Sequence, residues 1–173
     1  AKLPSITVAV PARNEDQQLD DWLRAIMASD YPKLEVIVLD DCSQDRTSEI
    51  IRSYAHAGVR FIQGHEPSDG WLPKNQAYDK LYREASGSLI LFCGVDVRLK
   101  RDSIRKLEHA LHRRQKSMLS VLPLNDKARR ISPVQAMRYF WEMVPPRRWF
   151  KRPPVLSSCW LVRRELLEAA GGF

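Results

Sequence analysis

The sequence predicts an α/β domain with a mainly parallel central sheet and helices on both faces. Three observations carry this expectation. Strand-like and helix-like segments alternate along nearly all of the 173 residues. The early strand-like runs, Ile6-Thr7-Val8-Ala9-Val10 and Val36-Ile37-Val38-Leu39, are almost continuously apolar, as strands buried on both faces are. The conspicuous polar residues, Arg13-Asn14-Glu15, Asp40-Asp41 and Asp96, fall where such runs end. In open α/β sheets, ligands bind at the carboxyl ends of the strands.

The elements follow in order. The first strand runs from Ile6 and ends at Pro11. Leu19, Trp22, Leu23, Ile26 and Met27 then recur at the spacing of one helical face, and Tyr31-Pro32 stops that helix. The second strand, Val36 to Leu39, closes on Asp40-Asp41. A helix capped by Asp45 follows, with Ile50, Ile51 and Tyr54 facing inward. Gly58 ends it, and Val59-Arg60-Phe61-Ile62 is a short third strand. Gly64, Pro67, Gly70 and Pro73 mark residues 64–73 as loop. A helix from about Lys74 to Ala85 leads through Gly87 to the strand Leu89-Ile90-Leu91-Phe92. Ile104, Leu107 and Leu111 outline another helix, and residues 117–124 read as a strand. Residues 133–144 read as helix, 155–162 as strand and 163–170 as helix, with Gly171-Gly172 as the stop. The linker-like piece is the Pro/Arg-rich stretch from Pro145 to Pro154. The whole chain, 1–173, reads as one domain.

Composition excludes several classes. A hydrophobic content of 44% suits a packed core and argues against disorder. No apolar run reaches the ~18–20 residues of a membrane-spanning helix, and the first residues lack the layout of a signal peptide. Cys42, Cys93 and Cys159 are odd in number and form no Cys-x-x-Cys pair. They read as reduced thiols in a cytosolic compartment. The net charge of +7 is localised: residues 127–152 hold 8 Lys/Arg and one acidic residue, Glu142, while residues 1–126 balance at 18 of each sign. Such a patch attracts an anionic partner. Within it Arg138, Arg147, Arg148, Lys151 and Arg152 are interleaved with Tyr139, Phe140, Trp141, Trp149 and Phe150. This mixture suits a membrane interface or a solvated helix with a buried aromatic face, more than it suits nucleic acid.

The candidate chemistry lies at the strand ends. Adjacent carboxylates Asp40 and Asp41 can accept hydrogen bonds from a base N–H or a ribose hydroxyl. Asp40-Asp41-Cys42-Ser43-Gln44-Asp45 is equally good turn and capping chemistry. Asp96 is placed to bind a divalent metal that neutralises a diphosphate, or to be an ordinary surface carboxylate. Lys74-Asn75 opens a helix, a natural phosphate position. Trp71 can stack on a base or sugar, or anchor its loop. His109 and His112 read as a solvated helix face.

Taken in order, these pieces resemble the family 2 glycosyltransferases with the GT-A fold. The matching stretches are Val10-Pro11-Ala12-Arg13-Asn14-Glu15, Val36-Ile37-Val38-Leu39-Asp40-Asp41-Cys42-Ser43-Gln44-Asp45, Gly70-Trp71-Leu72-Pro73-Lys74-Asn75-Gln76-Ala77 and Gly87-Ser88-Leu89-Ile90-Leu91-Phe92-Cys93-Gly94-Val95-Asp96-Val97. Leu161-Val162-Arg163-Arg164-Glu165 through Gly171-Gly172-Phe173 is similar to the segment that precedes the family's acidic base motif. The resemblance implies a Rossmann-like GT-A nucleotide-sugar-binding domain. Pro11, Ala12 and Glu15 would line the nucleotide pocket. Asp41 would hold the base with Asp40 beside it, Lys74 would sit near the donor phosphates, and Asp96 would bind Mn or Mg as the second Asp of the Asp-x-Asp motif. The donor would be UDP- or GDP-linked. The Trp71-to-Lys74 spacing resembles members that glycosylate hopanoids, carotenoids or ceramide, which implies a lipid acceptor, a membrane contact through residues 127–152 and a cytoplasmic-face location. Transfer would be an inverting displacement.

Two departures qualify the resemblance. Gly94 stands where the family's metal motif has its first Asp. The chain stops at Phe173, so no catalytic residue is assigned: the general base is expected beyond it, and this fragment is expected to bind donor without turning it over. Two competitors remain. A nucleotidyltransferase would want a Gly-rich basic loop where Pro11-Ala12-Arg13-Asn14-Glu15 has no glycine. Gly94 favours a non-catalytic nucleotide-sugar binder.

Overall fold

A computed structural model supplies the structure of the protein and describes residues 3–67, 70, 72–121 and 158–173. Trp71, the basic stretch 127–152 and the expected helix at 133–144 lie outside the described residues. The order is β1 (Ile6–Ala12), α1 (Asp16–Met27), β2 (Leu34–Asp40), α2 (Thr47–Ser53), a 3-10 turn (Ala55–Ala57), β3 (Val59–Gln63), α3 (Pro73–Glu84), β4 (Leu89–Cys93), α4 (Ser103–Arg113), β5 (Met118–Ser120), β6 (Cys159–Arg163) and α5 (Arg164–Ala170).

The described strands form one six-stranded sheet in the order β3-β2-β1-β4-β6-β5. Strands β3, β2, β1 and β4 are parallel, and β6 runs antiparallel between β4 and β5. The mainly parallel sheet is as the apolar runs imply. The reversed strand β6, next to the edge strand β5, is a departure that local patterning does not reveal.

Strand alternation divides the core in two. Ile6, Val8, Val10 and Ala12 face one side with Leu19, Trp22, Leu23 and Ile26 of α1, Ile51 of α2, and Ile104 and Leu111 of α4. Ala9, Ile37, Leu39, Ile90 and Phe92 face the other with Ala77, Tyr78 and Leu81 of α3 and Leu167 of α5. Helices therefore cover both faces, and each fully buried large apolar side chain contributes about 1.5–3 kcal/mol. Met27 departs from the expected face and is 37% exposed, although Ile26 beside it is buried in the core. The three cysteines are free thiols.

Strand β1 continues through Pro11, which pairs with Leu39, rather than stopping at it. The reason lies in the ladder. Ala12 accepts its bond from Asp41 on the β2 side, so Pro11 turns its absent N–H toward β4, past that ladder's end at Ala9 and Phe92. A proline there removes no strand bond.

Beneath the opposite, amino-terminal edge, Glu35 ties three segments together. Its Oε2 accepts from Thr7 Oγ1 (2.5 Å) and from Ser86 N and Oγ (2.9 Å each), and its Oε1 accepts from Arg60 (2.9 Å). Burial pushes the Glu35 carboxyl up, but the bonds from Thr7, Ser86 and Arg60 outweigh it and hold the pKa below the ordinary value. A depressed carboxyl stabilises the fold above its unfolded pKa, and that stability is lost as pH falls through the folded pKa. Glu35→Ala removes the acceptor of the fully buried Thr7 hydroxyl proton, while Thr7 Oγ1 keeps the Gly87 amide as a donor (2.8 Å), and it is expected to cost about 2 kcal/mol at pH 7. Its penalty should shrink in acid, as read by urea denaturation across pH. A penalty that is the same at pH 7 and in acid would count against this role.

Candidate functional site

The carboxyl ends of β1, β2 and β4 share one edge of the sheet, because these strands are parallel neighbours. The loops leaving them, residues 13–15, 41–46 and 94–102, form the rim where Arg13, Glu15, Asp41 and Asp96 stand. The residues carrying charge in the sequence are therefore gathered on one side by topology.

Asp40 and Asp41 have different surroundings. Asp40 follows Val36 and Val38 on the α2 side of the sheet and is 2% exposed. Its Oδ1 accepts from Ser43 N (3.1 Å) and its Oδ2 from the Ser48 hydroxyl. That carboxylate builds the turn into α2. Asp41 comes off the strand end. Its side chain is 20% exposed and lies 4.0 Å from the guanidinium of the exposed Arg13. Burial pushes the Asp41 carboxyl up. Arg13 pulls it partly back, Glu66 and Asp40 add to the rise, and the net direction is upward.

Glu15 is half-buried at the end of the first loop. Burial raises its pKa, and the negative charges of Asp96 and Asp45 raise it further. Glu15 thus lies within electrostatic range of Asp96. The exposed Asp96 turns its carboxylate back over the strand end, where a Cβ on Gly94 would overlap Asp96 Oδ1. Glycine at 94 accommodates this arrangement of Asp96.

Lys74 is exposed in the first turn of α3, with Nζ 5.7 Å from the centre of the Tyr78 ring. Tyr78 packs edge-on against Phe92 at 5.1 Å. Its hydroxyl is pushed up to about 12, by burial first and then by Cys93, Asp96 and Cys159. Tyr78 therefore links the Lys74 end of α3 to Phe92 of β4. Pro11 and Ala12 form the strand end between these groups, Pro11 half-buried and Ala12 buried.

Among the described residues no group of three or more His, Cys, Asp or Glu side chains converges as a metal cage. Mg²⁺-type sites often use one or two carboxylates and take further oxygens from water and substrate phosphates. The exposed carboxylate of Asp96, with Glu15 nearby, fits that role.

The sequence profile of Glycosyl transferase family 2 matches residues 7–171. The chain belongs to this family. This family 2 chain is 25% identical over 183 residues to "Probable glycosyltransferase YdaM" of Bacillus subtilis, an alignment covering 99% of this chain and 43% of that protein. It is 32% identical over 122 residues to "4,4'-diaponeurosporenoate glycosyltransferase" of Staphylococcus aureus, covering 69% of this chain and 32% of the relative. The chain spans less than half the length of these relatives. Its fold is similar to the mannosyltransferase PcManGT of Pyrobaculum calidifontis, solved with GDP-Man and Mn²⁺: TM-score 0.74, 24% identity, covering 98% of this chain and 47% of the other. It is also similar to S. aureus TarS 1-349 solved with UDP-GlcNAc: TM-score 0.67, 20% identity, covering 96% and 47%. The fold is that of the GT-A glycosyltransferases.

One rim residue of this family 2 domain, Thr47, is not singled out by the sequence, and a second, Asp45, does more there than the capping expected of it. Thr47 is fully buried and accepts the Glu15 amide (2.8 Å). Asp45, expected as a cap, accepts the Thr47 amide (2.9 Å) while the assigned cap residue is Arg46. It also accepts the amide of Asp16 at the start of α1 (3.1 Å), so one carboxylate serves two helix starts. The spacing Asp45-x-Thr47 was the available signal. A recess of about 310 Å³ lined by Leu3, Pro4, Leu89, Glu108, Leu111, His112 and Arg163 lies at the amino-terminal edge, away from the candidate rim.

Proposed function

We propose that this chain binds a nucleoside-diphosphate sugar at the carboxyl rim of its sheet. In the whole protein it would serve a glycosyltransferase that passes the sugar to an acceptor by inverting displacement. The observation that supports the reading most is the gathering of Arg13, Glu15, Asp41 and Asp96 on loops leaving three adjacent parallel strands. Pro11, Ala12 and Glu15 line the nucleotide pocket. Asp41, ionised and facing the rim, accepts hydrogen bonds from the base or ribose. Asp40 supports it from beneath by holding the turn. Lys74, in the first turn of α3, faces the donor phosphates, where its cation and the positive end of the helix dipole act together.

Asp96 holds Mn²⁺ or Mg²⁺ with the donor's phosphates. A cation there stabilises the charge on the departing diphosphate. The solved structures with GDP-Man and Mn²⁺ and with UDP-GlcNAc support a GDP- or UDP-linked donor. The diaponeurosporenoate relative supports a lipid acceptor, and the basic, aromatic stretch 127–152 supports contact with the cytoplasmic face of a membrane. No helix among the described residues is long and apolar enough to cross one.

A thermal-shift panel of nucleoside diphosphates and nucleotide sugars, with and without Mn²⁺, tests the reading, since ligand binding raises the melting temperature with occupancy. UDP or GDP is expected to stabilise the chain, and stabilisation by none of them would overturn the proposal. Asp96→Asn is expected to remove most of the Mn²⁺-dependent gain in nucleotide affinity, about tenfold. Equal gains in the variant and the parent would remove Asp96 from the site. Gly94 favours a second reading, a binder without turnover. Gly94→Asp separates the two: higher Mn²⁺ affinity with activity gained in the full-length protein supports the binder. Gly94→Ala is the control that displaces Asp96 without adding a ligand.

A further inference from the structure

Two loops of the rim contain non-glycine residues in the left-handed backbone region, Asn14 (φ 54°) and Cys42 (φ 57°). That conformation costs free energy in most L-residues, and asparagine tolerates it better than most. Such residues persist where surrounding contacts over-determine them. The contacts at Asn14 join the two loops. Its backbone N–H donates to Ser43 Oγ (3.0 Å), and its side-chain Oδ1 accepts the Gln44 amide (2.8 Å). The segments are joined on both sides of that exchange. Asp41 N donates to Ala12 O (2.8 Å) at the strand ends, and Glu15 N donates to Thr47 Oγ1 (2.8 Å) at the helix starts.

We infer that Asn14 is a positioning residue for donor binding, acting through the β2 loop rather than by touching the nucleotide. The inference rests on the proposed function. The Asn14 latch fixes the separation of Arg13 and Glu15 on one loop from Asp41 on the other. Arg13 is exposed and its guanidinium comes only within 4.0 Å of Asp41, so that ion pair is a weak constraint. The reciprocal Asn14 bonds are of ordinary length and involve backbone amides; Asn14 is one residue from Arg13 and Glu15, and Ser43 and Gln44 are two and three residues from Asp41. The left-handed turn at Asn14 aims its side chain across to Gln44.

The test separates latch, fold and donor. Asn14→Gly keeps the left-handed backbone at no steric cost and deletes the acceptor for Gln44. Ser43→Ala deletes the acceptor for Asn14 N–H, and Ser43→Thr keeps it. In the whole chain, Asn14→Gly should leave the ligand-free melting temperature within about 2 °C. It should speed amide exchange at Gln44 about tenfold and weaken UDP or GDP binding by calorimetry about five- to tenfold. Ser43→Ala should weaken nucleotide binding similarly, and Ser43→Thr should restore it. Nucleotide affinity unchanged in Asn14→Gly overturns the inference. So does weakened affinity with Gln44 exchange unchanged, which would mean direct contact, and so does failure of Ser43→Thr to restore binding. If the parent chain binds neither UDP nor GDP, the functional reading fails and the donor role of the latch fails with it. Binding in the parent with normal Gln44 exchange in Asn14→Gly overturns the latch alone.

Discussion

Asp41→Ala is expected to abolish stabilisation by UDP or GDP, with affinity falling about 10- to 100-fold, the size of a lost hydrogen bond to a charged group. The isosteric Asp41→Asn should lose most of the same binding yet melt slightly higher without ligand. The sign follows from the Asp41 carboxyl, which burial raises above its ordinary value against the opposing pull of Arg13. A raised carboxyl binds its proton better folded than unfolded. Its ionised form therefore opposes folding, not at all below the unfolded pKa and fully above the folded one. Asparagine never ionises, so at neutral pH it should gain about 1–2 °C. In the parent chain, donor binding through ionised Asp41 should fade on acidification at a pH above that of an ordinary aspartate. Calorimetry from pH 4 to 8, with Asp41→Asn as reference, reads this directly. A ligand-free Asp41→Asn that melts lower, or nucleotide affinity independent of Asp41, would remove this residue from the donor site.

Gly64→Ala should produce the largest loss of stability among these variants while also disabling the rim. Gly64 donates its amide to Asp40 O (2.8 Å). A Cβ there would lie 2.5 Å from Asp40 O, 2.9 Å from Asp41 Cα and 3.1 Å from Leu39 Cδ2. The first two are backbone atoms and cannot rotate aside, so β3 and the end of β2 must separate. The expected cost is about 2–4 kcal/mol by urea denaturation, with the nucleotide-induced thermal shift lost because Asp41 is carried away. Gly58→Ala is the contrasting control. Its position has open space but φ 91°, so it should cost about 1 kcal/mol and leave nucleotide binding intact. A Gly64→Ala chain of parental stability would show that the two strand ends have room that these contacts deny.

Much of this was legible in the residues. Continuous apolar runs foretold the parallel core because a strand covered on both faces has no polar side to show. The face of α1 followed from the spacing of Leu19, Trp22, Leu23 and Ile26, while Met27, on the same stripe, is exposed. The partition of Asp40 from Asp41 was not legible. Adjacent identical side chains differ here because strand alternation turns Asp40 under α2, toward Ser48, and the next residue leaves the strand. Nor was the Asn14 latch, since its partners Ser43 and Gln44 lie 29 and 30 residues away.

Among the described residues the sequence by itself determined which segments are strands and helices and which polar residues follow the parallel strands, because periodicity and turn chemistry act over a few neighbouring residues. Tertiary structure decided the rest. It placed the antiparallel β6 beside β4, set Asp96 within reach of Glu15, buried one aspartate of a pair and turned the other toward the rim. Those outcomes depend on which strands pair and in what register, and pairing is a contest among distant segments that local patterns do not encode.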